Sequence, residues 1–327
     1  MSKRNRNKSS APPAAGAGKT CSFLRSPEAD SLIVNQPEDS VELFLECREC
    51  GRKGRYRVGG VTLDPALVLR PSNDPRSFDA AVGFTGYFVC RQCGSYGPWN
   101  LTTHALLVVS AMLAAGHGKA PFFMGQQQLY DGTVIRYAAE GVAILTARIA
   151  ADPTNAFLHD RLGNLFEVCG LLDRAAIEWT KALELDPNLP TAMHSVAQVH
   201  VKANQPREAA ALFHRLLDRL RTDSSIPLED RRRLARSGLE YLVGIHNDSG
   251  GEIPLMNLPP IGDSSALTTE FKSATLELRS FDLEREEDWL RMVDTLLGLG
   301  SQPVSGAGRG RKGKVPFARA HHDRSRR

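Results

Sequence analysis

The sequence lacks any apolar run long enough to cross a membrane. Its most apolar stretch, residues 105–115, is broken by Ser110 and falls short of the roughly 18 residues that a spanning helix needs. The first twenty residues are polar and basic and contain no apolar segment of the secretory type. We therefore expect a cytoplasmic protein without a membrane partner.

Residues that would indicate catalysis are also missing. Residues 16–20 (GAGKT) match the end of a phosphate-binding loop, but Pro13 stands where that motif requires glycine, and no apolar strand precedes it. Serine, histidine and aspartate occur without a nucleophile-elbow motif. We predict neither nucleotide binding nor enzymatic activity.

Acidic residues are absent from one end of the chain and scarce at the other. Residues 1–20 carry a net charge of +5 and residues 301–327 carry +7. Because the whole chain carries +4, the segment between them has a net charge of −8. Both ends lack a hydrophobic period, which predicts a disordered basic arm over 1–28 and a disordered basic tail over 301–327. Such tails either solubilise the chain or attract phosphate in a salt-sensitive way.

The body of the chain has ordinary globular composition, with 42% apolar and 24% charged residues. Alternating residues from 41 onward predict a small β domain over 29–100, with an extended loop over 63–80. Helices are predicted at 102–115, 125–130 and 137–151, within a helical domain over 101–245. A linker and a C-terminal helix should follow over 246–300. The apolar stripe of this helix consists of Trp289, Met292, Val293, Leu296 and Leu297.

Cysteine is scarce, with six residues among 327, but four of them form two copies of a CxxC motif. Cys47 and Cys50 stand in CRECG, and Cys90 and Cys93 stand in CRQCG. Each CxxC turn points two sulfurs the same way, and four thiolates suit a closed, structural zinc site. The segment resembles zinc ribbons, although the stretch between the two pairs is longer than the roughly 15–20 residues common in such motifs. Disulfides and redox thiols are the alternatives.

An internal repeat with a period of about 34 residues occupies 156–189 and 190–221. In the first copy, small residues at relative positions 8 and 20 would let two helices approach, and large residues at 7, 11 and 24 would fill the space between pairs. This pattern resembles the tetratricopeptide repeat family and predicts a mainly α protein with a helical-repeat solenoid. The residues that carry it in the first copy are Leu162, Gly163, Phe166, Gly170, Ala175, Trp179, Ala182 and Pro187.

The resemblance implies a groove, lined by the first helix of each repeat, that binds a peptide or a partner helix. It places Phe157, Asp160, Asn164, Glu167 and Val168 in the groove from the first copy, and Thr191, His194, Gln198, Val201 and Lys202 from the second. Exposed Asp160 and Glu167 would attract a basic segment. We therefore expect a non-catalytic scaffold or adaptor with a protein partner.

A second interpretation gives the cysteine region a role in nucleic-acid binding. Basic and aromatic residues interleave around both CxxC turns, a mixture that can contact phosphates and stack on bases. The net negative charge of the segment between the two ends disfavours an extended surface that binds nucleic-acid phosphates. The candidate contacts are Lys53, Arg55, Tyr56, Arg57 and Arg91.

Overall fold

The computed structural model describes residues 40–70, 77–115, 122–255 and 286–297. The predicted arm over 1–28, the predicted tail over 301–327 and much of the predicted linker lie outside these residues. The described chain is mainly helical with a small N-terminal sheet region. No helix among the described residues has both the length and the apolar character that a membrane span requires.

Two three-stranded sheets and one short hairpin form the sheet region. The first sheet has the order β2-β1-β5 with antiparallel pairing, and the second has β4-β3-β6, in which β3 runs antiparallel to β4 and parallel to β6. The strands are β1 (Val41–Cys47), β2 (Lys53–Gly59), β3 (Val61–Leu63), β4 (Val82–Phe84), β5 (Trp99–Leu101), β6 (Phe122–Met124), β7 (Gln127–Gln128) and β8 (Val134–Ile135).

The core of the sheet region extends beyond residue 100, the predicted limit of the β domain. Strand β1 turns Leu43, Leu45 and Cys47 inward, as its alternating sequence predicts. The same core contains residues of helix α3 (Thr103–Ala115) and also Tyr137. Helix α3 and Tyr137 therefore complete the core of the sheet region.

Two local predictions were wrong. The predicted loop over 63–80 contains two short helices, α1 (Pro65–Val68) and α2 (Ser77–Ala81), because Asp64 caps the first by accepting from the Ala66 N–H at 2.9 Å. The predicted helix over 125–130 is instead β7 and the turn after it. Gly125 has a φ of +140°, which interrupts a helix at its first residue.

Helices with a regular spacing follow the sheet region in the described part of the chain. Helices begin at Ala138, Leu172 and Pro206 in equal steps along the sequence. The step from the helix start at Ala156 to the next at Pro190 has the same length, so the helices recur with the predicted period. The helices are α4 (Ala138–Ala151), α5 (Ala156–Val168), α6 (Leu172–Leu185), α7 (Pro190–Lys202), α8 (Pro206–Thr222), α9 (Leu228–Asp248) and α10 (Glu286–Leu296).

Close packing of α5 on α6 depends on one glycine. A Cβ atom at Gly163 would lie 2.5 Å from two atoms of the Trp179 indole, which is fully buried. The turn between these helices uses Gly170 at φ +74°, and the Leu171 N–H donates to the Phe166 carbonyl at 2.9 Å. The small residue and the tryptophan thus form the interlocking pair that the repeat pattern predicts.

The chain divides into two compact units between Ala209 and Ala210, inside α8. In the second unit α10 packs on α9, and the Arg232 guanidinium forms a bidentate pair with Asp294 at 2.7 and 3.0 Å. Helix α10 lies within the range 246–300 in which the sequence predicts a C-terminal helix. Its buried apolar side chains are Trp289, Met292 and Val293, and Leu297 just beyond it is also buried.

Candidate functional site: a four-cysteine centre and a helical face

The first half of the centre is a turn, here called the first knuckle, at residues 47–51. Strand β1 ends at Cys47, whose N–H donates to the Arg52 carbonyl at 2.9 Å while the Gly51 N–H donates back to the Cys47 carbonyl at 2.8 Å. Gly51 has a φ of +71°, a conformation that glycine adopts without strain. The turn therefore brings Cys50 back beside Cys47.

The second knuckle, residues 90–94, repeats these hydrogen bonds. The Cys90 N–H donates to the Ser95 carbonyl at 2.7 Å, the Gly94 N–H donates to the Cys90 carbonyl at 2.8 Å, and Gly94 has a φ of +74°. In each knuckle the first cysteine is buried and the second is exposed. The shared CRxCG sequence thus folds into the same structure twice.

The two knuckles bring four sulfurs together. The Sγ atoms of Cys47 and Cys93 are 3.7 Å apart, those of Cys50 and Cys90 are 3.6 Å apart, and all four lie within 4.8 Å of one another. Sulfurs about 2.3 Å from a zinc ion at the corners of a tetrahedron lie about 3.8 Å apart. A disulfide requires about 2.05 Å, so neither cross-knuckle pair is oxidised. The group could bind a metal ion.

The pKa values of Cys47 and Cys90 are shifted in opposite directions. Burial raises the pKa of Cys47 to about 12. Burial also opposes ionisation of Cys90, but the backbone N–H groups of Cys93 and Gln92 and the neighbouring thiol of Cys50 outweigh it and lower the pKa of Cys90 to about 6. At neutral pH Cys90 therefore favours the thiolate form and Cys47 the thiol form, and a metal would have to displace the proton of Cys47.

A cluster of aromatic rings lies beneath the centre. The rings of Tyr56 and Trp99 have centroids 4.8 Å apart, and Phe88 lies 5.3 Å from Tyr56 and 5.1 Å from Trp99. Tyr56 is only 4% exposed. The prediction that its ring contacts nucleic acid was wrong, because strand β2 turns Tyr56 into the core while its neighbours Arg55 and Arg57 face outward.

Basic residues predicted to contact nucleic acid are largely paired on the exposed sheet face. Lys53 lies 3.5 Å from Glu46, which is opposite it in the β1–β2 register, and Arg55 lies 3.2 Å from Glu42, which is diagonal to it. Arg57 is exposed on the same strand. Arg91, also exposed, places its guanidinium 5.6 Å from the Tyr56 ring centroid. These contacts leave less free positive charge than the sequence suggests.

Among the predicted groove residues, Asp160 is not a surface charge. Its side chain is 0% exposed, and it accepts from the Arg161 guanidinium at 3.1 Å and from the Thr191 hydroxyl at 3.0 Å. Burial raises the pKa of Asp160, and the charge of Arg161 opposes that shift. Asp160 thus links α5 to the start of α7, and the expectation that it attracts a basic segment from the groove surface was wrong.

Asn164 also has an internal partner. Its side-chain oxygen accepts from the Trp179 indole N–H at 2.8 Å, which satisfies the only polar group of that buried ring. Asn164 therefore supports the α5–α6 pair from within.

Replacing Asn164 with alanine should lower the free energy of unfolding by about 1–2 kcal/mol, because the buried Trp179 N–H loses its acceptor. Denaturant titration followed by circular dichroism measures the change. Asn164→Asp keeps an acceptor oxygen and serves as the matched variant. Equal stability of the alanine variant and the unmodified chain would contradict the assigned role.

Accessible side chains remain along α5 and α7. Phe157 is 40% exposed, and Glu167 and Lys202 face each other at 3.9 Å between the two helices. Tyr130, in the turn between β7 and β8, contacts Phe157 edge to face with centroids 5.0 Å apart. Sequence analysis missed Tyr130, because residues 125–130 were predicted as helix. His194 and Gln198 are half-buried on α7.

No protein-family model matches the chain, and no curated protein matches its sequence.

Proposed function

We propose that this protein is a non-catalytic interaction scaffold, in which helix pairs of the tetratricopeptide type offer a groove to a protein partner. The observation that carries the proposal is the regular recurrence of helices α4 to α8, together with the Gly163–Trp179 pair inside one of its hairpins. Such recurrence is typical of repeat proteins, which stack similar helical units and bind partners on the extended surface that the stacked units form.

We further propose that the four cysteines bind one structural zinc ion. Soft thiolates in a tetrahedral set prefer zinc, and four protein ligands leave no open position for water or substrate. Cys47, Cys50, Cys90 and Cys93 would hold the ion, which would supply a cross-link between the two knuckles. The metal would then stabilise the sheet region without taking part in a reaction.

The proposed groove uses the side chains that α5 and α7 leave accessible. Asp160 and Asn164 have internal partners, so recognition would depend on exposed groups such as Phe157, Val168 and Lys202. Apolar side chains flanked by charged ones are typical of interfaces in which a few anchors carry the affinity.

Two matched variants test the groove. Val168 is 64% exposed on α5, and Ile177 is 50% exposed on α6, the second helix of the same pair. Because both positions are exposed, Val168→Asp and Ile177→Asp should leave the fold intact. We expect affinity capture with the full chain to recover a defined protein partner. This partner should bind the Ile177→Asp variant as it binds the unmodified chain, and it should bind the Val168→Asp variant at least tenfold more weakly.

The opposite pattern, or equal binding by both variants, would contradict a groove on the first helices. Capture is measured by quantitative mass spectrometry, and binding of the identified partner is then measured by calorimetry.

Nucleic-acid attachment at the knuckles has less support. Exposed Arg48, Arg52 and Arg91 favour it, but four thiolates around one zinc ion carry a net charge of −2, which would offset most of their positive charge. The one aromatic ring among the predicted contacts, Tyr56, lies in the core. The proposed scaffold role therefore has the stronger physical basis.

A further inference from the structure

A partly open cavity of about 350 Å³ lies between the second sheet, the β7–β8 hairpin and the start of α4. Helices α1 and α2 contribute the rest of its wall. None of the lining residues belongs to the four-cysteine centre or to the proposed groove. Ligand sites typically have volumes of about 300–1,000 Å³, so this cavity has room for one small molecule.

Hydrogen bonds hold one polar wall of the cavity in place. The side-chain amide of Gln127 donates to the Thr62 hydroxyl at 3.2 Å and to the Arg136 carbonyl at 3.0 Å. Both amide hydrogens are used in this way, and the acceptor oxygen of Gln127 remains for a ligand. A Cβ atom at Gly83 would collide with the Thr62 hydroxyl and the Arg136 carbonyl oxygen. The glycine therefore permits the close approach on which this wall depends.

Two opposite charges line the same cavity without pairing. The Glu140 carboxylate accepts from the backbone N–H of Arg136 at 2.9 Å, which fixes its position. The Arg136 guanidinium lies 3.4 Å from the Ala80 carbonyl and 5.2 Å from the Tyr137 ring centroid. Within the described part of the chain, neither charged side chain forms an ion pair, either with the other or with a third residue. Each of them can therefore pair with a charged group of a ligand.

The chemistry of the wall restricts the ligand. A simple anion would be repelled by Glu140 and by Asp64, whose carboxylate also lines the cavity and accepts from the Gln126 amide at 2.7 Å. A simple cation would be repelled by Arg136. A guanidinium binds a carboxylate through parallel N–H donors, and a carboxylate binds an ammonium group. A ligand that carries both groups would satisfy both charges.

The rest of the wall is apolar. Leu67, Ala81 and Ile135 line it, and Ala81 and Ile135 are buried in the unliganded protein. These side chains offer contact to a short hydrocarbon group but no hydrogen bond. A carboxylate, an ammonium group and a short apolar group occur together in an α-amino acid.

We propose that this cavity binds a free α-amino acid with an apolar side chain. Arg136 pairs with the ligand carboxylate, Glu140 pairs with its ammonium group, and the apolar wall contacts its side chain. The inference goes beyond the scaffold role, since it gives the chain a small-molecule ligand at a second place in the fold.

Calorimetry with the full-length protein tests the choice of ligand. The probes are L-leucine, leucinamide, which lacks the carboxylate, and N-acetyl-leucine, which lacks the ammonium group. We expect L-leucine to bind, and each of the two analogues to bind at least about tenfold more weakly, because each leaves one charged side chain of the cavity without a partner.

Two variants test the assigned residues. Arg136→Gln and Glu140→Gln should each weaken the binding of L-leucine about tenfold. Arg136→Gln should not weaken leucinamide further, and Glu140→Gln should not weaken N-acetyl-leucine further, because in each case the lost charge has no partner on that probe. Glu140→Gln keeps an acceptor for the Arg136 N–H, so its fold should persist. Arg55→Gln is the matched control, since Arg55 is exposed on β2 outside the cavity, and it should bind L-leucine unchanged.

Circular dichroism checks that each variant is folded. Absence of L-leucine binding by the unmodified chain at millimolar concentrations would overturn the proposal, as would undiminished binding by folded Glu140→Gln. N-acetyl-leucine that binds as tightly as L-leucine would point to the C-terminus of a peptide instead, and leucinamide that does so would point to an N-terminus. Either result would overturn the free amino acid as the ligand.

Discussion

Cys90→Ser is expected to abolish metal binding and to unfold much of the sheet region. Cys90 is buried in the same core as Trp99 and Phe84, and its sulfur lies 3.6 Å from Cys50. Serine cannot replace the thiolate as a zinc ligand at neutral pH, and three remaining ligands would have to retain an ion whose binding contributes directly to folding. Structural zinc sites contribute about 10–16 kcal/mol in isolated zinc-finger peptides, so the loss should exceed the usual effect of one substitution.

Native mass spectrometry combined with metal analysis measures this outcome on freshly purified, reduced protein. The unmodified chain should carry one zinc ion and Cys90→Ser none, and the near-ultraviolet signal from the aromatic cluster of Tyr56, Phe88 and Trp99 should collapse. Far-ultraviolet helical signal should persist better, because helices α5 and α6 have their own buried contacts around Trp179.

Cys169→Ser provides the matched control. Cys169 is buried in the same compact unit, but its sulfur donates to the Thr85 carbonyl at 3.5 Å and is no part of the four-sulfur group. This variant should keep its zinc. Absence of metal from the unmodified chain, or one zinc per chain in Cys90→Ser, would contradict the prediction.

Gly163→Ala should cause the largest loss of stability among conservative changes in the helical part. A methyl group would lie 2.5 Å from atoms of the Trp179 indole, a separation that packed carbon atoms do not tolerate. Trp179 is 1% exposed and cannot swing outward without losing its hydrogen bond to Asn164. Overpacking of this kind costs about 3 kcal/mol, which outweighs the ~1 kcal/mol that alanine gains over glycine within a helix.

Gly244→Ala is the corresponding control, because it changes a glycine of helix α9 with no neighbouring atom within 4 Å of the added methyl group. It should raise stability by up to about 1 kcal/mol. Hydrogen exchange measured by mass spectrometry should show faster exchange in α5 and α6 of Gly163→Ala and slower or unchanged exchange in α9 of Gly244→Ala. Similar effects of the two substitutions would contradict the close approach of α5 to α6.

The sequence was most informative where spacing alone decides the structure. Two CRxCG motifs predicted two matching turns, because the cysteine spacing and the following glycine restrict the backbone locally. The period of the internal repeat likewise matches the spacing between the starts of helices α5 and α7. It did not predict that Asn164 faces Trp179, since that contact depends on how two helices rotate against each other.

Charge and aromatic content were poor guides to the surface. Tyr56 stands between two exposed arginines in the sequence, yet the strand alternation that exposes them buries it. Lys53 and Arg55 face Glu46 and Glu42 only because of a strand register that the sequence does not specify. Contacts between distant segments, such as Tyr130 on Phe157, require the fold and could not be predicted from local patterns.

The unequal exposure of the cysteines has a kinetic consequence for metal exchange. Cys47 and Cys90 are enclosed by the core, whereas Cys50 and Cys93 lie at the surface, one on each knuckle. An incoming chelator or carrier protein could attack a bound ion only from the side of Cys50 and Cys93, so those two bonds would break first. Exchange would then speed up with chelator concentration and proceed without global unfolding, while the inner pair of sulfurs kept the knuckles together.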